Sequence, residues 1–358
     1  MSTLLDVKTE AYSCNSCGHS QSPDLPDLAG YYDTDYKISL ASDDHDQLYE
    51  MVEGQPVFRM AKQAELVLLH SNPPHGARVL DYGAAKAATL RAIMAKRPDI
   101  RPAVFDVSQD YRAYWTNWVA GDDQATYRCP EEWSGQFDLV TAHFVIEHVA
   151  QPVEVFQDIA RLLAPQGEVF FTVPDVISNP GDLLVVDHVN HFTASSIDAA
   201  LWQAGLVTES VTNDYRGAFV VVARKDTGIE RAPSSQNISA KVIELRDIAS
   251  FWTEARKTLL GAASEHGKRK AVIYGAGFYG LWISSVLAGR QRISGYLDQN
   301  PYVRQAAPVG PVFDPLDPPK GIEVVYAGLN PAIARYVLPE WLKSIGLSAQ
   351  IVYLDGGA

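Results

Sequence analysis

Short apolar runs alternate with stretches of helical spacing from residue 56 to 225, the pattern of a sheet flanked by helices. Val79-Leu80-Asp81-Tyr82 reads as a buried strand, Ala84–Lys96 as the helix after it, and Ala103-Val104-Phe105-Asp106 as a second strand. Phe137–Ala142 predicts another strand, Val153–Leu163 its helix, and Glu168–Val173 a strand closed by a proline. Ser195–Ala204 has helical spacing, and Leu206–Val211 and Ala218–Arg224 are close enough to pair as an antiparallel edge. Asp226–Ser239 has the composition of a linker, and Lys241–Ser264 the apolar spacing of an amphipathic helix. A third block then repeats strand, glycine turn and helix from Ala271, with strands expected at Ile293–Leu297, Ile322–Ala327 and Gln350–Leu354 and a helix near Ala332–Ile345.

The expected organisation is a polar head over 1–55, an α/β domain over 56–225, a linker and connecting helix over 226–265, and a second α/β domain over 266–358. An apolar fraction of 47% and a charged fraction of 20% suffice for ordinary globular cores. Acidic residues outnumber basic ones, 43 to 30, so phosphate backbones and anionic lipid offer this chain no electrostatic gain. No apolar run approaches the roughly 18 residues of a membrane helix, and Met1–Glu10 is acidic, with no hydrophobic signal segment. Three cysteines make no disulfide framework. The expectation is a cytoplasmic protein with a small-molecule substrate and neither nucleic acid nor membrane as partner; whether chains pair is open.

Candidate chemistry begins at the first strand-to-helix turn, Asp81-Tyr82-Gly83-Ala84-Ala85-Lys86-Ala87, where open α/β sheets bind ligands. Small residues there let backbone approach a ligand, and a helix N-terminus can receive an anion. Asp106 ends the second strand, placed to accept hydrogen bonds from the two hydroxyls of a ribose. Taken alone, the turn is equally well a tight connection in a Rossmann-like domain.

Three further motifs follow in order: Phe137-Asp138-Leu139-Val140 with Val145-Ile146-Glu147-His148-Val149, then Leu162-Leu163-Ala164-Pro165-Gln166-Gly167, then Val169–Pro174. Over residues 75–225 the chain resembles class I S-adenosylmethionine-dependent methyltransferases, with alanine at 85 and 87 where that family has glycine. The resemblance implies a Rossmann-like sheet with an antiparallel last strand and S-adenosyl-L-methionine as cofactor. It places Asp81, Gly83 and Ala85 around the methionine part, Asp106 on the ribose, and Ala142 and His143 near the sulfonium, with Val107 a further cofactor contact. Glu147 in this family helps position cofactor or packing.

A base is needed if the methyl acceptor carries a proton. Val185-Val186-Asp187-His188-Val189-Asn190-His191, after the fifth strand, offers His188 as base, Asp187 as its partner or a substrate contact, and His191 as the other base. Alternatively, one of these histidines caps the helix near Ser195. Cys14-Asn15-Ser16-Cys17 looks like one zinc-ribbon knuckle, with His19 or His45 available to a mixed site; a relic without metal is favoured over zinc. Tyr31–Tyr36, rich in tyrosine and acid, reads as a lid or a substrate surface.

The third block carries Gly275-Ala276-Gly277-Phe278-Tyr279-Gly280 with Asp298 ending the next strand, which by spacing is a dinucleotide fingerprint. Together with Gly295–Pro301 it looks more like the nucleotide-sugar modules of bacterial sugar-modifying enzymes. The three-part order is similar to sugar C-methyltransferases, which implies a nucleotide-linked sugar as substrate, Gly275, Gly277, Gly280 and Asp298 as its contacts, and His188 as the base that removes a proton α to a keto group. An O-methyltransferase is the nearest rival. An NAD-dependent oxidoreductase and a non-catalytic ligand-binding protein are the alternatives from other classes, and a dimerisation or packing domain with an unused glycine turn is the alternative for the third block.

Overall fold

The computed structural model describes residues 9–23, 47–52, 55–226, 238–306 and 310–356. The segment Tyr31–Tyr36, His45 and linker residues 227–237 lie outside these. The chain divides into two compact units, one over Thr9–Val242 and one from Ile243 onward.

The first unit opens with β1 (Tyr12–Ser13) and β2 (Ser20–Gln21), which pair around the cysteine knuckle. A second hairpin, β3 (Leu48–Val52) with β4 (Gln55–Phe58), leads into α1 (Arg59–His70). Then come β5 (Arg78–Tyr82), α2 (Ala88–Lys96), β6 (Arg101–Asp106), α3 (Arg112–Trp115), β7 (Gln124–Thr126) and β8 (Phe137–His143). The unit continues with α4 (Pro152–Leu162), β9 (Leu163–Pro174), β10 (Asn190–His191), α5 (Ala194–Gln203), β11 (Leu206–Tyr215) and β12 (Ala218–Lys225).

Seven of these strands form one sheet in the order β11-β12-β9-β8-β5-β6-β7. Only β12 opposes its neighbours, pairing antiparallel with both β9 and β11. Leu80 faces one apolar core and Val79 the other. A strand buried on both faces must be apolar without alternation, which is why β5 is visible in the sequence. The chain winds from β5 through β6 to β7, then returns to the other side of β5 for β8 and β9. That reversal opens a crevice at the carboxyl ends of β5 and β8, where ligands bind in such sheets.

Helix α2 starts at Ala88, four residues later than its spacing predicts. Gly83, Ala85 and Ala87 have φ of +74°, +45° and +53°. This left-handed backbone is incompatible with a right-handed helix and costs an alanine about 1–2 kcal/mol. Alanine propensity suggested helix; the turn keeps a glycine-type path instead.

The head does not stand apart. β2 pairs antiparallel with β10, Gln21 opposite Asn190 and Ser20 opposite His191, in a three-stranded sheet.

Helix α6 (Ile238–His266) carries the chain into the second unit. There β13 (Ala271–Tyr274), α7 (Phe278–Leu287), β14 (Ile293–Leu297), α8 (Pro301–Ala306), β15 (Val312–Phe313), β16 (Val324–Ala327), α9 (Pro331–Ser344) and β17 (Gln350–Val352) alternate. All five strands are parallel in the order β15-β14-β13-β16-β17, the same winding as β7-β6-β5-β8-β9. Its core packs Val272, Leu297, Val325 and Leu338 around Tyr274 and Trp341. Among the described residues, no helix is long and apolar enough to cross a membrane.

Candidate active site

At the first glycine turn, the N–H groups of Gly83 and Ala84 both donate to the Phe105 carbonyl, at 2.8 and 2.9 Å. A Cβ at Gly83 would lie 2.5 Å from a Val145 methyl, so only glycine lets the turn pass beneath the β8 end. Asp106 is clasped by backbone: Ala85 N–H donates to Oδ2 at 2.8 Å and Ser108 N–H to Oδ1 at 3.0 Å. Each oxygen keeps a lone pair for a ligand hydroxyl. Val107, next along, is exposed at the rim. Asp81 is buried at the end of β5 and accepts from Thr141 Oγ1 at 3.0 Å. Burial, reinforced by the charge of Asp106 and opposed by the Thr141 bond, pushes its carboxyl up to about 7.

At the end of β8, the Ala142 side chain belongs to the core, so only its backbone is available to a ligand. His143 has both ring nitrogens buried without a hydrogen-bond partner. Burial and the nearby Arg59 cation lower it to about 3, leaving a neutral imidazole with one donor and one acceptor unspent. Phe144 follows in the left-handed region at φ +56°, a strained placement for a bulky residue. The Arg59 guanidinium lies 4.2 Å from the centre of its ring. A glycine floor, two buried acids and an unpartnered imidazole suit a nucleoside-bearing cofactor with a cationic amine.

The turn after β8 carries Glu147 and His148; the segment before β10 carries Asp182, Asp187, His188 and His191. One donor atom each from Glu147, His148 and His188 lies within 4.8 Å of the others. The rings of His148 and His188 meet edge to face, with centroids 4.7 Å apart. His188 Nδ1 is 2.6 Å from Asp182 Oδ1 and His191 Nδ1 is 2.7 Å from Asp182 Oδ2. Burial works against charge on Asp182, but the bonds from the two histidines hold it down at about 2. An ionised carboxylate only accepts, so both Nδ1 atoms carry hydrogen and Nε2 is the basic nitrogen of His188. Burial also pulls His188 down, yet the Asp182 bond and the charges of Asp182, Glu147 and Asp187 push it up to about 9. Glu147 is fully buried, and neither of its oxygens meets a partner.

Asp187 is not the hydrogen-bonded partner of His188; its carboxylate lies 3.3 Å from His148 Nδ1 and its carbonyl 3.0 Å from the same atom. The partner is Asp182, overlooked in the sequence because its only signal is a short Pro-Gly-Asp turn six residues before the histidine. His191 cannot serve as a free base, because it is fully enclosed and Nε2 is engaged 2.8 Å from Ser22 Oγ. Neither histidine caps α5; Thr193 does, in a capping box with Ser196.

The knuckle closes on itself through Cys14 N–H to the His19 carbonyl at 2.7 Å and Gly18 N–H to the Cys14 carbonyl at 3.0 Å. Backbone N–H groups of Ser16 and Cys17 lower the Cys14 thiol, and burial raises that of Cys17. Among the described residues no third histidine, cysteine or carboxylate joins them in a metal-binding cluster. His19 Nε2 instead lies 3.0 Å from Asn190 Oδ1. Cys129 is buried in the core of the sheet.

In the second unit, Asp298 is clasped as Asp106 is: Ala276 N–H to Oδ2 at 2.9 Å and Asn300 N–H to Oδ1 at 2.8 Å. A Cβ at Gly275 would lie 2.2 Å from the Gly328 carbonyl oxygen, and one at Gly280 2.0 Å from that of Gly275. Packing accounts for both glycines. Gly277, which precedes α7, has open space around it. The Tyr274 hydroxyl is buried without a well-formed partner, and burial beside Asp298 pushes it up to about 12.

Residues 58–211 match the methyltransferase domain family. A search of curated proteins finds no match. Similar solved structures include a complex between a Haloferax volcanii methyltransferase activator and a methyltransferase, at 18% identity and TM-score 0.39 over 47% of this chain and 91% of that one. Mitomycin 7-O-methyltransferase aligns at 16% identity and TM-score 0.39, covering 46% of this chain and 53% of its own. A Mesorhizobium loti S-adenosylmethionine-dependent methyltransferase aligns at 18% and 0.37, covering 45% and 98%. The family match falls on the sheet that carries the glycine turn and the buried acids, so residues 58–211 match a methyltransferase domain.

Asp81→Asn removes a buried charge while leaving an acceptor for Thr141. The raised carboxyl is protonated in the fold at low pH and costs stability increasingly as pH climbs from about 4 to 7. Urea unfolding at pH 8 is expected to show the variant about 2–4 kcal/mol more stable than the parent, with the difference gone at pH 4. Equal stability at both values would contradict the burial cost.

Proposed function

We propose that the protein methylates a nucleotide-linked sugar at a carbon next to a keto group, with His188 as general base. The observation that carries this reading is the Asp182–His188 pair, a buried carboxylate that fixes the ring and raises its basicity. S-adenosylmethionine, when bound, supplies an electrophilic methyl group. The Asp106 carboxylate would accept from the ribose hydroxyls, the Gly83 and Ala85 backbone would accommodate the methionine part, and the Asp81 carboxyl would receive its ammonium. His188 Nε2 takes the proton α to the keto group, and the carbon so exposed forms the new bond to the methyl as the methyl–sulfur bond breaks and S-adenosylhomocysteine leaves with the electron pair. The emerging imidazolium is stabilised by the Asp182 carboxylate already against its Nδ1. Holding acceptor carbon and base in line would supply much of the remaining rate.

For the substrate's nucleotide, the second glycine turn supports the reading. Its acid carries the same two-amide clasp as the ribose-reading acid of the first unit, and Gly277 is the one glycine there that packing leaves unexplained. Gly277→Val enters open space, so it is expected to raise the KM for a sugar nucleotide at least tenfold and leave S-adenosylhomocysteine affinity unchanged. Equal weakening of both would remove the substrate assignment.

The base must give up its proton before it can act. With His188 at about 9, kcat/KM is expected to climb tenfold per pH unit from pH 6 and to level off near pH 9. His188→Gln should lower kcat by about 100- to 10,000-fold with cofactor affinity intact. A flat profile from pH 6 to 9, or full activity in the variant, would rule out His188 as base.

A further inference from the structure

The hydrogen-bond chain through Asp182 does not stop at His191. Ser22 Oγ lies 2.8 Å from His191 Nε2, His191 Nδ1 lies 2.7 Å from Asp182 Oδ2, and Asp182 Oδ1 lies 2.6 Å from His188 Nδ1. With Nδ1 donating to the carboxylate, a His191 ring that carries only that one ring proton accepts from the Ser22 hydroxyl at Nε2. Ser22 belongs to the head, and several further bonds fix it there. Its N–H donates to the Val189 carbonyl at 2.9 Å, and β2 pairs with β10 at Asn190 and His191. Gln21 Nε2 donates to the Ala150 carbonyl at 2.9 Å, just past the turn that carries Glu147 and His148. His19 holds Asn190, whose Nδ2 reaches back to the Ile146 carbonyl at 3.1 Å.

We propose that Ser22 and His191 are positioning residues for the transfer reaction, and that through them the cysteine-knuckle head sets the orientation and basicity of His188. The proposal rests on His188 being the base. The order serine, histidine, aspartate is that of nucleophilic hydrolases, but here His191 is completely enclosed and the second oxygen of the aspartate is committed to another histidine. The chain therefore leads from the head toward the methyltransferase cluster.

The physical consequence has a sign. Four groups face His188: Asp182 from the turn before it, Glu147 and His148 from the turn after β8, and its neighbour Asp187. Of these, Asp182 alone is hydrogen-bonded to its Nδ1. His191 faces Asp182 and, from the head, Ser22 and His19. If the Ser22 hydroxyl is removed, His191 Nε2 is left buried without a partner. The ring then either turns away from Asp182, freeing the carboxylate to rotate, or takes up a second proton and competes for its charge. Both weaken the hold on His188, and its affinity for a proton falls.

The test is a titration of the His188 imidazole resonance by NMR in the substrate-free full chain, for the parent, Ser22→Ala, Ser22→Cys and Ser22→Thr. The His188→Gln spectrum assigns the signal, and kcat and KM are measured in parallel. The expected result is a midpoint for Ser22→Ala lower by about one pH unit, a tenfold weaker hold on the proton. The threonine variant, which keeps the hydroxyl, should match the parent, and cysteine, a poor donor of similar size, should fall between. In the assay, kcat should drop about tenfold in Ser22→Ala with KM unchanged. An unmoved midpoint in Ser22→Ala overturns the proposal whatever happens to kcat, and if that variant does not fold, an unmoved midpoint in Ser22→Cys does the same. A midpoint that moves as expected while the parent itself methylates no sugar nucleotide leaves the relay standing and removes the assigned reaction.

Discussion

Asp182 is a fully buried carboxylate holding one imidazole on each oxygen. An unpaired charge in that place would be prohibitively costly, and a single partner would leave one oxygen unsatisfied. The two histidines resolve both problems, and in doing so they bind together parts of the chain that are far apart in sequence. His188 looks toward Glu147 and His148 at the end of β8, while His191 sits in β10, against the head. Loss of the aspartate would leave two imidazoles and a fully buried glutamate without the charge that organises them. The site and the head thus depend on one ionised group.

The same economy of construction appears at the two glycine turns. In the seven-stranded and five-stranded sheets alike, the first strand in sequence has the next two to one side and the following two to the other. In both, the acid ending the second strand is clasped by a turn N–H and by the N–H two residues beyond it. The clasp fixes the carboxylate without consuming all its acceptor capacity, so each acid stays available to hydroxyl groups of a ligand. The steric reasons for the glycines differ. Gly83 makes room for Val145, a side chain of the neighbouring strand end, whereas Gly275 and Gly280 let backbone pass backbone.

Much of the fold was legible because its strands are buried on both faces and its turns are local. The Val79–Tyr82 strand, the Asp106 strand end and the β11–β12 antiparallel pair follow from runs and spacings within a few residues. The start of α2 did not, because alanines at 85 and 87 favour helix by propensity while the turn forces a left-handed path. The cluster was half legible. His188 stood out as a histidine beside an acid, but which acid holds it is decided by a short irregular segment that turns Asp187 toward His148 and brings Asp182 back. The link from Ser22 to His191 spans 169 residues and runs through strands two residues long, too short for any periodicity to show.

If His188 removes a proton from carbon, hydrogen exchange reads that step without the transfer that follows. A thymidine or uridine diphosphate 4-keto-6-deoxysugar is incubated with the protein and S-adenosylhomocysteine in deuterated water, and loss of the α-proton signal is followed by NMR. Exchange is expected at the carbon next to the keto group at a rate well above the protein-free control, with loss of that exchange in His188→Gln. Methyl transfer from S-adenosylmethionine to the same compound with no exchange at carbon, or exchange that survives in the variant, would contradict it.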